Sequence, residues 1–186
     1  IAWTEEHRPL GRYYIGLTPV INPVYLLDAA TGVEAAHADL FQSGVMAIVA
    51  PSRSNSEAIK LATDFTKLIG SAPLFIDPLE VDSLMSAIHL LPHLLAVALL
   101  HVTVDQPGWR EARKLAGKAY AKMTGLATHQ GEMQGMSVTL MDNRENALRM
   151  IDRFIAALKA IRREVEDGDA GALEEDFALA KAGREK

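Results

Sequence analysis

From residue 83 to residue 104 the chain carries no Asp, Glu, Lys or Arg, an uncharged run of 22 residues. As a helix, such a run is long enough to cross a bilayer. Any fold for this chain must therefore take the segment out of water. The details argue against a membrane span. The run holds His89, His93 and His101, contains Pro92, and is flanked by Asp82 and Asp105 rather than by Lys or Arg. It reads instead as a helix buried all round within a helical domain.

The sequence ahead of it has another texture. Residues 12–17 are a short β-rich run closed by Thr18-Pro19, and residues 44–50 are a continuous apolar run bounded by Gly44 and Pro51. Residues 72–77 make a third. Continuous apolar runs suit strands buried on both faces of a parallel sheet. Between the second and third runs, Ile59, Ala62, Phe65 and Ile69 are spaced as on a helix. Ser54 with Glu57 three residues on reads as its capping box, and Gly70 as its stop. The order is that of a βαβ unit with a right-handed crossover.

Beyond Pro107-Gly108, Trp109 to Ala127 reads as one amphipathic helix, and residues 130–141 are ambiguous. Asp142 with Glu145 resembles a capping box. Leu148, Ile151, Ile155, Leu158, Ile161 or Arg162, and Val165 then step by three and four along a coiled-coil-like stripe ended by Gly168. Residues 170–181 form a last short helix with Leu173, Phe177 and Ala180 inward, followed by a frayed tail. The fold class expected is α/β followed by all-α. Its domains are residues 1–78 and residues 79–186.

Composition removes several functions. The chain has 186 residues and no cysteine, which excludes a disulfide scaffold, a thiolate zinc site and a cysteine nucleophile. A formal net charge of −5 and 6% aromatic residues do not fit a nucleic-acid binder. The first residues, from Ile1, are no signal peptide. The chain reads as a piece of something longer, or as a processed product, and as cytoplasmic. Neither Gly-x-Gly-x-x-Gly nor Gly-x-Ser-x-Gly occurs in it.

His89 and His93, four apart, fall on one helix face. That spacing suits a metal site or an acid–base pair, and equally two polar groups satisfied in a helical core. His7, His37 and His129 read as surface residues. Thr18-Pro19 lies where α/β sheets bind ligands, at the carboxyl end of a strand, or else simply ends the strand. The methionines at 123, 133, 136, 141 and 150 read as core filler, and Glu174-Glu175-Asp176 as a solvated face.

The order of these features resembles the prephenate/arogenate dehydrogenase family, from the latter part of its nucleotide-binding domain to the C-terminus. Tyr14-Ile15-Gly16-Leu17-Thr18-Pro19-Val20-Ile21-Asn22 looks like the family's strand ending in His-Pro. Glu80-Val81-Asp82, then Ser86-Ala87-Ile88-His89-Leu90-Leu91-Pro92-His93, looks like Glu-His-Asp followed by Ser-His-Leu-Pro-His. Asp142-Asn143-Arg144-Glu145-Asn146 resembles the family's Asn before a long dimerisation helix.

The resemblance implies the later strands of a Rossmann-type parallel sheet joined to a helical dimerisation domain. It implies hydride transfer to NAD or NADP with loss of CO2, toward tyrosine, in a homodimer that binds neither nucleic acid nor membrane. His93, His89 and Thr18 would be the catalytic positions, lining the substrate cleft between the domains. Asn22, Gly125 and Asn143 would face the substrate, Pro19 would face the cofactor, and no metal is implied. Several positions depart from the family. Its His-Pro histidine is Thr18, the first His of Ser-His-Leu-Pro-His falls on Leu90, and its carboxylate-binding Arg falls on Gly125. Threonine donates a hydrogen bond but is no base near neutral pH. Glycine lacks the guanidinium fork that a carboxylate favours. Two functions therefore remain: a dehydrogenase with altered substrate or reduced activity, or a catalytically silent relative serving as a dimerising or ligand-sensing module.

Overall fold

The computed structural model describes residues 6–26, 32–128 and 135–185. His129 and Met133 lie outside the described residues. The chain divides into two compact units, Ile1–Asp82 and Ser83–Lys186.

The first unit is built on a three-stranded sheet in the order β1 (Gly16–Val20), β2 (Val45–Val49), β3 (Ala72–Phe75). In β2, Met46, Ala47, Ile48 and Val49 are all buried, so both strand faces are covered. Ile48 is wholly buried and packs with Met46, Ala62, Ile15 and Ile69. Burying such a side chain contributes about 1.5–3 kcal/mol. Helix α1 (Ser56–Leu68) joins β2 to β3, which run parallel as the βαβ reading requires. Its cap is Asn55, one residue beyond the expected Ser54, and the Asn55 side chain accepts the Glu57 N–H at 2.7 Å.

The sheet is mixed, because β1 pairs antiparallel with β2. Thr18 and Pro19 lie inside β1, opposite Ala47 and Met46, and not in a loop after it. Proline is tolerated there because β1 is an edge strand, where a missing N–H breaks no ladder on its outer side. The strands are drawn tight at Gly44. A Cβ at that position would collide with the Val20 carbonyl oxygen and crowd the Phe41 oxygen at 3.1 Å.

The uncharged run belongs to one helical stretch, Pro78–Val104, in which an 18-residue window reaches a mean hydropathy of 1.9; by length and composition it is apolar enough to cross a membrane. The stretch has a defect in its middle. Helix α2 (Pro78–Met85) passes through a π-turn (Ser86–Leu90) into α3 (Leu91–Val104), and the Leu91 N–H donates to the Ser86 carbonyl five residues back. Pro92 accounts for it. It brings no N–H, and in a regular helix its ring would press on the Ile88 carbonyl, so an extra residue in the turn relieves the crowding.

The expected burial all round is not found. Ser86, Leu90, His93 and Ala96 are buried along one side, while Ile88 and Val102 are 70% and 66% exposed. The reason is the number of neighbours. Among the described residues its main neighbours are helix α5 (Lys118–Gly125), a short 3-10 turn at Leu126–Thr128 and helix α7 (Arg144–Asp167), too few to surround it.

The helix expected from Trp109 to Ala127 is two: α4 (Trp109–Leu115) and α5, broken at Ala116-Gly117, where both residues are extended. Glycine there weakens the helix enough for the chain to turn. Tyr120 of α5 reaches back to Thr103 of α3, oxygen to oxygen at 2.7 Å.

Asp142 closes α6 (Met136–Asp142) rather than capping α7, whose first residue is Arg144. Gly168 ends α7 as expected, at φ +68°, with bonds back to the Glu164 and Val165 carbonyls. Helix α8 (Ala170–Glu185) runs past the expected end, so the residues read as a frayed tail are helical to Glu185. Phe177, expected inward, is 63% exposed, and Ala180 is exposed too, because among the described residues α8 packs chiefly on α7.

Candidate functional site

The π-turn is where the second unit concentrates polar groups. Ser86 and His93 are 1% and 4% exposed, in a stretch made mostly of Leu, Ala, Val and Ile. His93 Nδ1 lies 2.8 Å from the carbonyl oxygen of His89, a residue of the π-turn. His89 is exposed, and its ring meets His93 edge-on, centroids 5.0 Å apart at 62°. Among the described residues no group of three His, Cys, Asp or Glu could hold a metal ion.

Helix α7 holds this turn from the other side. Asn143 Nδ2 donates to Ser86 Oγ at 2.8 Å, and Asn143 Oδ1 accepts from Asn146 Nδ2 at 2.7 Å. Arg149 donates to Asn146 Oδ1 and, at 2.8 Å, to Ser83 Oγ. The ladder Asn143–Asn146–Arg149 thus reaches the turn at Ser86 and the preceding turn at Ser83. The sequence reading named Asn143 and missed Ser83, Ser86, Asn146 and Arg149 as partners. A signal existed in the spacing: residues 143, 146 and 149 repeat every three on one helix face.

Two departures from the family have definite surroundings. Leu90 is 2% exposed, an apolar side chain packed in the core. Gly125 closes α5, and a Cβ built there meets nothing within 4 Å.

In the first unit, Thr18 and Pro19 are exposed on β1. Asn22 is buried and occupied with the chain itself. Its Oδ1 accepts the Val24 N–H at 3.2 Å, and its backbone N–H donates to the Leu40 carbonyl at 2.7 Å. Nearby, the Tyr25 ring stacks flat on His37 with centroids 4.3 Å apart, and its hydroxyl donates to Asp39.

A shifted carboxyl lies near the end of α7. Glu164 on α7 is raised above the ordinary glutamate range, first by burial, then by Asp176 and Asp169 on the α8 side, against a smaller lowering by Arg163. Its Oε2 has no hydrogen-bond partner among the described residues.

Known proteins match this arrangement. The family model described as "Prephenate dehydrogenase, dimerization domain" covers residues 77–179. Prephenate dehydrogenase of Bacillus subtilis (strain 168) is 25% identical over 182 residues, which is 97% of this chain and 47% of the relative. The chain thus spans about half the length of that curated relative. Two solved structures share the fold. Prephenate dehydrogenase from A. aeolicus, in complex with hydroxyphenyl propionate and NAD+, superposes with a TM-score of 0.78 at 19% identity, over 94% of this chain and 59% of its own. Synechocystis arogenate dehydrogenase superposes with a TM-score of 0.76 at 15% identity, over 92% and 60%.

Proposed function

The chain belongs to the prephenate dehydrogenase dimerization-domain family, and on that premise we propose that it is the later part of an NAD(P)-dependent dehydrogenase with a prephenate- or arogenate-like substrate. The observation that carries the reading is the setting of His93, a buried imidazole inside the matched span, held by a π-turn that α7 grips through Asn143. A π-turn interrupting an apolar helix is a recurrent mark of a functional site.

In this reading His93 supplies the polar contact to the substrate and His89 flanks it. Thr18 offers a hydroxyl donor where a base would otherwise act, so proton removal must fall to another group. Asn22 and Asn143 shape the substrate side, Gly125 leaves room there, and Pro19 stands on the cofactor side. When bound, nicotinamide accepts the hydride. Its phosphate cradle is not made by these residues, since no Gly-x-Gly-x-x-Gly turn occurs among them. Residues 1–78 are the later strands of the nucleotide-binding domain, and residues 79–186 are the helical domain through which a cytoplasmic homodimer forms.

The test is calorimetric titration of the full-length protein with NAD+ and with NADP+. Binding of either at micromolar concentration is expected; failure of both overturns the reading. A second reading, a catalytically silent dimerising or ligand-sensing relative, is favoured by Thr18, the buried Leu90 and the open space at Gly125. Ordinary turnover of prephenate or arogenate by the full-length protein would exclude it.

A further inference from the structure

We infer that the π-turn and the Asn143 ladder together fix the tautomer of His93, holding the proton on Nδ1 and directing the lone pair of the neutral ring to Nε2. The inference deepens the reading of His93 as a site residue, and rests on that reading only for its consequence in catalysis. The tautomer itself is a property of the protein without substrate.

The argument begins at the His89 carbonyl. A carbonyl oxygen can only accept, so the 2.8 Å contact from His93 Nδ1 requires the proton to sit on Nδ1. In a neutral imidazole the other nitrogen is then the acceptor. A free histidine in water exchanges between both forms. His93 is 4% exposed, so water competes poorly for Nδ1 and the carbonyl keeps it.

That carbonyl is placed by the helix defect. The π-turn spans Ser86–Leu90, so His89 lies inside it and the backbone of that turn sets where its carbonyl points. The turn is in turn held by a residue 57 positions later. Asn143 Nδ2 donates to Ser86 Oγ, Asn146 holds Asn143 by its Oδ1, and Arg149 ties Asn146 to Ser83. Asn143 therefore acts on the imidazole through Ser86 and the π-turn, and is a positioning residue. His89 contributes its backbone oxygen to this device, and its side chain is not needed for it.

The experiment reads the two ring nitrogens of His93 by NMR, in full-length protein carrying isotope-labelled histidine, at pH about 8, where an ordinary imidazole is neutral. The spectrum of a His93→Gln variant assigns the signals. The wild-type protein is expected to show a pyrrole-like shift at Nδ1 and a pyridine-like shift at Nε2. Asn143→Ala, with its helical circular dichroism retained, is expected to move both shifts toward the averaged values of free histidine. Asn143→Gln, which keeps an amide donor, is expected to restore much of the difference. His89→Ala, which keeps the carbonyl, is expected to leave the shifts in place.

A wild-type protein with the proton on Nε2, or with averaged shifts, overturns the inference without any variant. Unchanged shifts in folded Asn143→Ala overturn the positioning role of Asn143. Neither outcome touches cofactor binding, so failure here is distinct from failure of the proposed function.

Discussion

The bond between Asn143 and Ser86 makes a quantitative prediction through a double-mutant cycle. Ser86 is 1% exposed, and its hydroxyl receives the Asn143 amide at 2.8 Å. A neutral hydrogen bond contributes about 0.5–1.5 kcal/mol net, while a buried polar group stripped of a partner costs about 1–3 kcal/mol. Asn143→Ala removes the amide from Ser86 and also releases Asn146. Its expected cost is about 2 kcal/mol, within that range. Ser86→Ala removes the buried hydroxyl itself, and the half-exposed Asn143 amide can turn to water, so the expected cost is about 1 kcal/mol. The double variant should cost less than the sum, by a coupling of about 1 kcal/mol, as for other contacting pairs. That is about a fivefold effect on the folding equilibrium. The assay is urea unfolding of the four proteins at one protomer concentration, since an associating protein gains stability by mass action. Trp109, in the same unit, provides the fluorescence signal, and a constant m-value confirms that only stability changed. Single effects that add to within about 0.3 kcal/mol would refute the claim that this bond joins α7 to the π-turn.

Three further outcomes follow from other parts of the chain. Gly44→Ala should destabilise the first unit by about 3 kcal/mol or more, because the new methyl meets backbone rather than a yielding side chain; unchanged urea unfolding would contradict the geometry at Val20. Glu164 binds its proton more tightly folded than unfolded, so its contribution is fully present below the ordinary glutamate range and is lost as pH rises through the raised value. Glu164→Gln should flatten unfolding stability against pH over that window, and a wild-type slope retained in the variant would reject the α7–α8 assignment. Leu148 and Leu158 are 48% and 50% exposed on the α7 stripe, and in the proposed homodimer the stripe is covered. The double change Leu148→Glu with Leu158→Glu should shift sedimentation of the full-length protein toward monomer, and an unshifted dimer would place the interface elsewhere.

The parts of this fold written in local patterns were readable from the sequence. Strand β2 declares itself as a short apolar run between Gly44 and Pro51, and α1 by its spacing, so the βαβ unit follows. The end of α7 is equally local, because Gly168 adopts a conformation that costs other residues energy. The misreadings come from partners far away in sequence. Thr18-Pro19 looks like a terminator, yet antiparallel pairing with Ala47 and Met46 draws it into a strand. Asp142 with Glu145 looks like a cap, yet the neighbouring Asn143 spends its side chain on Ser86. The site was legible to the same degree. His89 and His93 stand out by spacing, whereas the π-turn that contains His89 needs Pro92 to be read as a distortion within a helix rather than as its start. The one-sided burial of residues 83–104 could not be read at all, since hydropathy reports what a segment avoids and not how many neighbours it has.

That same separation has a consequence during synthesis. Ser86 leaves the ribosome 57 residues ahead of Asn143. At about 5–20 residues per second, the uncharged segment waits roughly 3–11 seconds before the helix that grips it exists. Through that interval the nascent chain displays a continuous greasy surface with no charge of its own to keep neighbours apart. Yield in a cell is then set by how well this segment is shielded while α7 is being translated. Slower translation after residue 104 should lower the soluble fraction, and a holdase supplied in excess should recover it.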